Sequence, residues 1–76
     1  MLSEKEIFLK KLGNHLKTKR QEKGYSTIEM SRRLFMDSGN YTRIENGKTN
    51  PTSFTLFKFC EALEIRIADL FRDFDS

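Results

Sequence analysis

Between residues 38 and 49 the chain carries a run of side chains suited to recognition: Ser38, Asn40, Thr42, Arg43, Asn46, Lys48 and Thr49, with Gly39 among them. Placed on a helix at about 100° per residue, Gly39, Arg43 and Asn46 point one way, flanked by Ser38, Asn40 and Thr42, while Tyr41, Ile44 and Glu45 point the other. The second set faces the protein and the first faces outward. Arg43 offers a planar fork of donors that matches the two acceptors of guanine in a DNA major groove, and its plainer reading is a solvated residue or a phosphate clamp. Asn40 and Ser38 can read or position neighbouring groups, and Gly39, lacking a side chain, permits close approach of backbone to a strand. Asn46, Lys48 and Thr49 follow in a loop, and Thr27 stands at the first turn of the preceding helix. Together with the backbone amides of that helix start, they are groups suited to gripping phosphate oxygens, which sets register, not sequence.

The elements that must hold these residues can be read from the punctuation of the chain, which predicts five helices and no strands. Ser3 with Glu6 forms a capping box for a first helix that runs through Phe8, Leu12 and Leu16 and stops at Gly24. Ser26 with Glu29 repeats the box for a second helix, with Met30, Ser31 and Leu34 on its inner face. Asp37 caps a third, and Gly47 lies just past its end. Thr52 or Ser53 opens a fourth after Pro51, with Leu56, Phe59, Cys60 and Leu63 as its buried stripe. A short fifth is expected at about 67–74, where Ile67, Leu70, Phe71 and Phe74 fall at i, i+3, i+4 and i+7. Residues 26–47 thus form two short capped helices joined by a tight turn, the outline of a helix-turn-helix whose second helix enters the major groove.

Composition narrows the alternatives. A chain of 76 residues is expected to form one domain over 1–76, burying only about 60% of its unfolded surface, which argues against a large enclosed substrate pocket. The single cysteine, Cys60, cannot form an internal disulfide or a multi-cysteine metal site, so a reducing cytoplasm fits. No apolar run approaches a membrane span or the apolar stretch of a signal peptide. His15, the only histidine, has no cysteine or acidic partner at ligand spacing, and there is no phosphate-binding loop or nucleophile elbow. Neither an enzyme, a metal, a cofactor nor a small-molecule ligand is indicated. The net charge of +3 is modest but unevenly spread. Residues 1–60 carry twelve Lys and Arg against six Asp and Glu, a balance of +6, while residues 61–76 carry two against five, a balance of −3. The basic part contains the recognition segment, and the acidic tail would sit badly against phosphates.

Residues 12–71 resemble the phage repressor and Cro type of helix-turn-helix, the XRE family, through LGNHLKTKRQEKG, STIEMSRRL, YTRIENGKTNPT and TLFKFCEALEIRIADLF in that order and spacing. The resemblance implies an all-α, compact five-helix, lambda-repressor-like DNA-binding domain that dimerises on a palindromic operator and regulates transcription. At this length the chain resembles small stand-alone members such as the controller proteins of restriction-modification systems, as well as small phage regulators. Carried over by position, the family's base-reading sites fall on Ser38, Gly39, Asn40 and Arg43, its phosphate contacts on Thr27, Asn46 and Lys48, and its interior ion pair on Arg20 and Glu45. Several positions depart from the pattern. Thr27 replaces a usual glutamine, Ser31 a usual alanine, and Lys19 a frequently apolar residue. Phe35 occupies the turn position that is commonly glycine, and Arg66 stands where the last helix ordinarily has a capping Ser or Thr.

Seven phenylalanines are many for so small a domain. Phe8, Phe59 and Phe71 read as core, whereas Phe54, Phe57 and Phe74 fall beside the main stripes of their helices. One recognition helix reads too few base pairs to find a single genomic site, so a homodimer is expected. Its contact is placed near Ile65, Ile67, Phe71 and Phe74, with half-sites about 10 base pairs apart. The competing reading is a protein-interaction module such as an antitoxin, using an apolar groove at Phe54, Phe57 and Phe74.

Overall fold

Four helix ends of this chain close by the same hydrogen-bonding device, and those closures dictate the topology. The computed structural model describes residues 1–72 and 74 and contains α1 (Glu4–Glu22), α2 (Thr27–Arg33), α3 (Ser38–Glu45), α4 (Ser53–Leu63) and α5 (Ile67–Leu70), with no strand among the described residues. Ser3 and Glu6 form the reciprocal box that starts α1: the Glu6 amide donates to Ser3 Oγ at 3.1 Å and the Ser3 amide donates to Glu6 Oε1 at 3.0 Å. At α2 only half of that arrangement is present, because the Ser26 hydroxyl accepts from the Glu29 amide while the Glu29 carboxylate turns to Arg33 instead. Asp37 caps α3 through Oδ2, which accepts from the Gly39 and Asn40 amides, and Thr52, not Ser53, caps α4.

At the other ends, a residue in the left-handed conformation donates to the carbonyl three residues back, and the next residue donates five back. Gly24 and Gly47 fill that position after α1 and α3, with φ of +78° and +73°. Phe35 and Glu64 fill it after α2 and α4, with φ of +54° and +56°. The expectation that Phe35 stands in a glycine's place is therefore literal: its amide donates to the Arg32 carbonyl, and the Met36 amide donates to that of Ser31.

Leu12 and Leu16 from α1, Met30 from α2, Tyr41 and Ile44 from α3, Phe59, Cys60 and Leu63 from α4 and Leu70 from α5 form one core. Burying each large apolar side chain contributes about 1.5–3 kcal/mol, and the Tyr41 ring stacks on Phe59 with centroids 5.4 Å apart. Ser31 is buried at the contact of α2, its hydroxyl donating to the Ile28 carbonyl at 2.8 Å. A small hydroxyl satisfied within its own helix costs the interior little.

Two expectations need correction. The C-terminal helix spans Ile67–Leu70, one turn, not 67–74. Arg66 supplies no side-chain cap, and the start rests on the Asp69 carboxylate accepting from the Arg66 amide. Beyond Leu70 the chain turns so that Phe74 packs on α1, with ring centroids 5.3 Å from Phe8, 4.7 Å from His15 and 5.3 Å from Phe71. The Lys11 ammonium donates to the Phe74 carbonyl, and His15 Nδ1 lies 3.1 Å from the carbonyl oxygen of Leu70. Packing against α1 thus overrides helical continuation. Phe8, expected in the core, is 42% exposed: its neighbour Leu9 is the buried residue of that turn, and the Phe8 ring covers Phe74 instead. Asp73 and Asp75, two of the tail's acidic residues, lie outside the described residues.

Candidate nucleic-acid interface

α3 is eight residues long and amphipathic in the strict sense: Tyr41, Ile44 and Glu45 are buried, while Ser38, Gly39, Asn40, Thr42, Arg43 and the terminal Asn46 are all exposed. On that outward face the one charged side chain is Arg43. The four proposed base-reading residues therefore share a single accessible surface.

What holds the helix at this angle is packing at its inner side. Gly13 of α1 is buried under the last turn of α3, and a Cβ there would meet the Ile44 carbonyl oxygen at 2.6 Å. Gly47 repeats the arrangement one turn on, where a Cβ would lie 2.8 Å from Lys10 Cα. Absent side chains at these two positions let α1 and α3 approach backbone to backbone.

A buried polar cluster adds direction. Arg20 Nε donates to Glu45 Oε2 at 2.7 Å, Arg20 Nη2 donates to Glu45 Oε1 at 3.2 Å, and Arg20 Nη1 donates to the Tyr25 carbonyl at 2.7 Å. The Tyr41 hydroxyl donates to Glu45 Oε2. Arg20 and Glu45 are both buried, and among the described residues no buried side-chain polar atom lacks a hydrogen-bond partner. The Glu45 hydrogen bond raises the pKa of the Arg20 guanidinium, and burial, then the bond to Glu45, raises that of the Tyr41 hydroxyl. The bidentate pairing engages both Glu45 oxygens and so favours the rotational setting of α3 that turns Glu45 toward Arg20.

Around this face lie the residues assigned to phosphate contact. Thr27 sits half-buried at the first position of α2, directly after the Ser26 cap. Asn46 and Lys48 are exposed at the end of α3 and in the following turn, and Thr49 is half-buried there. Arg43 Nε donates to Thr49 Oγ1 at 3.5 Å. The approach of Lys10 to Gly47 places the beginning of α1 beside this loop, and the Glu6 carboxyl pKa is lowered, mainly by the hydrogen bond from the Ser3 amide with smaller contributions from Lys10 and Lys48.

The segment from Leu16 to Leu70 matches the family model described as Helix-turn-helix. This chain belongs to the XRE-type helix-turn-helix family. Two solved structures extend the likeness to three dimensions. Both are of the clp gene regulator ClgR from Corynebacterium glutamicum. One superposes with a TM-score of 0.78 and 28% sequence identity, covering 80% of this chain and 78% of that one. The second gives 0.79 and 27%, covering 82% and 66%. Comparison with curated protein sequences finds no match. Membership in this helix-turn-helix family makes DNA-binding transcription regulation the general class of activity.

The remaining assigned residues are not all at one surface. Ile67 is 51% exposed and Ile65 half-buried. Phe71 and Phe74 are half-buried against the core, Phe74 through α1, and so are less available than their spacing implied. Together with Phe57 and Cys60, Ile65 and Ile67 border a groove of about 430 Å³ between α4 and α5. Reading from the residues overlooked Gly13, the Tyr41 hydroxyl and the Arg43 contact to Thr49. A glycine inside an otherwise helical pattern was a usable signal for the first. The other two depend on where separate parts of the chain meet.

Proposed function

We propose that this protein binds double-stranded DNA as a cytoplasmic homodimer, inserting α3 into the major groove at each half of a palindromic operator and repressing transcription there. Ser38, Gly39, Asn40 and Arg43 read base edges, with Arg43 directed at guanine; Thr27, Asn46, Lys48 and Thr49 hold phosphates and set register. The observation that carries this reading is the division of α3: every polar residue on its outer face is exposed, while Tyr41, Ile44 and Glu45 are locked behind it.

The dimer contact is best supported around Ile65 and Ile67, where Phe57 adds exposed apolar surface beside the groove. Phe71 and Phe74 join it only at its margin. The exposed, stacked pair Phe54 and Phe57 also suits the second reading, an antitoxin-like module that grips a partner protein. Selection of bound duplexes from a random pool, followed by sequencing, separates the two. A two-fold symmetric consensus with half-sites about 10 base pairs apart supports operator binding. An unenriched pool, together with duplex affinity that does not fall as salt is raised, favours the protein partner.

A further inference from the structure

We infer that Thr49 is a positioning residue for base reading, acting through Arg43. This rests on the proposal that Arg43 meets a base in the major groove. Arginine carries five donors in a planar fork. When Nε is occupied from behind, the two terminal nitrogens are left facing forward as the pair that matches guanine. The contact that occupies it is to Thr49 Oγ1, at 3.5 Å.

The turn that carries Thr49 is set by backbone bonds of the two residues before it. Gly47, at φ +73°, reverses the chain after α3. The Gly47 amide then donates to the Ile44 carbonyl at 3.1 Å, and the Lys48 amide donates to the carbonyl of Arg43 itself at 2.8 Å. The loop is thereby tied to the residue it positions. Thr49 also lines the cleft of about 350 Å³ between α3 and the start of α4, beside Asn40 and Thr52, and is half-buried while the Arg43 side chain is exposed. A threonine hydroxyl can accept and donate at once. It can therefore receive Arg43 Nε while donating to a phosphate, which links the aim of the guanidinium to the register on the duplex. Restricting a long, rotamer-rich side chain before binding removes part of the ordering cost on contact, and the benefit accrues only to the base that Arg43 reads.

The test compares base preferences of the full chain and its Arg43→Ala, Thr49→Val, Thr49→Ser and Arg43→Ala/Thr49→Val variants on a random duplex pool, with urea unfolding as the check on folding. Arg43→Ala should flatten preference at one base pair in each half-site. Thr49→Val should flatten the same position by about 2- to 10-fold, Thr49→Ser should restore it, and the double variant should be no flatter than Arg43→Ala alone. If Arg43→Ala flattens a position that Thr49→Val leaves sharp, the inference is overturned, and a uniform weakening of all duplexes by Thr49→Val would make Thr49 a phosphate contact only. Equal flattening by Thr49→Ser would also overturn it, since the methyl and not the hydroxyl would then be responsible. If Arg43→Ala flattens no position, base reading by Arg43 itself fails, and the role of Thr49 with it.

Discussion

Gly13 of α1 lies against the backbone of Glu45 in α3, so closely that a Cβ would come within 2.6 Å of the neighbouring Ile44 carbonyl oxygen and nearer still to that of Glu45. An alanine in a helix interior normally gains about 0.5–1 kcal/mol over glycine. Here the obstructing atoms are backbone and cannot swing aside, and forced overpacking costs typically 1–3 kcal/mol. Gly13→Ala should therefore lower stability by about 1 kcal/mol or more and weaken DNA binding by displacing α3. Urea unfolding decides it: a variant as stable as the parent would show that α1 and α3 separate without cost.

The Arg20 and Glu45 pair should behave as a unit. Removing either partner leaves a buried charge, and for complete burial the expected loss is about 3–5 kcal/mol. That is a large share of the roughly 5–15 kcal/mol that small domains possess. Arg20→Met with Glu45→Leu together should lose less than the sum of the two single changes, because the second change removes the stranded charge. Additive losses in a double-mutant cycle would argue that the two residues act separately.

Alkaline stability should report on Tyr41. Burial, and then its hydrogen bond to Glu45, raises its pKa in the folded protein. The neutral phenol is favoured by folding, so its contribution is complete below the unfolded value of about 10 and is lost progressively as pH rises above it. Unfolding free energy should decline from about pH 10 upward, with a slope that Tyr41→Phe makes shallower by about one proton. Denaturant titrations at a series of alkaline pH values measure this, and an unchanged slope in the variant would refute it.

Phe35 is 96% exposed while holding φ at +54°. A side chain in that conformation costs about 1–2 kcal/mol, and with so little burial there is almost no packing to lose. Phe35→Gly should relieve the strain at a partial cost in unfolded-chain entropy, for a net gain of up to about 1 kcal/mol. Thermal or urea unfolding that shows a clear loss would mean the phenyl ring makes a stabilising contact.

Lys48 is exposed in the turn after α3, and as a phosphate contact it should contribute without regard to sequence. Lys48→Ala should weaken binding to all duplexes alike and reduce the salt slope by about one. A loss confined to a single operator sequence would instead assign Lys48 to base reading.

Much of this was legible in the order of residues. Capping side chains act on amides two or three positions away, so Ser3, Ser26, Asp37 and Thr52 mark helix starts in the sequence itself. Gly24 and Gly47 mark stops for the same local reason, whereas only the family resemblance places Phe35 at its turn. The two faces of α3 follow from its 3.6-residue period, which needs no knowledge of the rest of the molecule. The family resemblance located the Arg20 and Glu45 pair.

The tertiary structure decided what depends on segments distant in the chain. The period of residues 67–74 favoured a helix, but Phe74 gains contacts with Phe8 and His15 that only exist once α1 is beside it, and the helix ends at Leu70. Phe8 lost its expected place in the core for the complementary reason. Gly13 gives no hint of its neighbour, because the steric limit is set by carbonyls 31 and 32 positions further along. Local rules fix each helix and its faces, since hydrogen bonds and caps act over a few residues; which helix blocks, covers or aims a given side chain is fixed only when separate surfaces are brought into van der Waals contact.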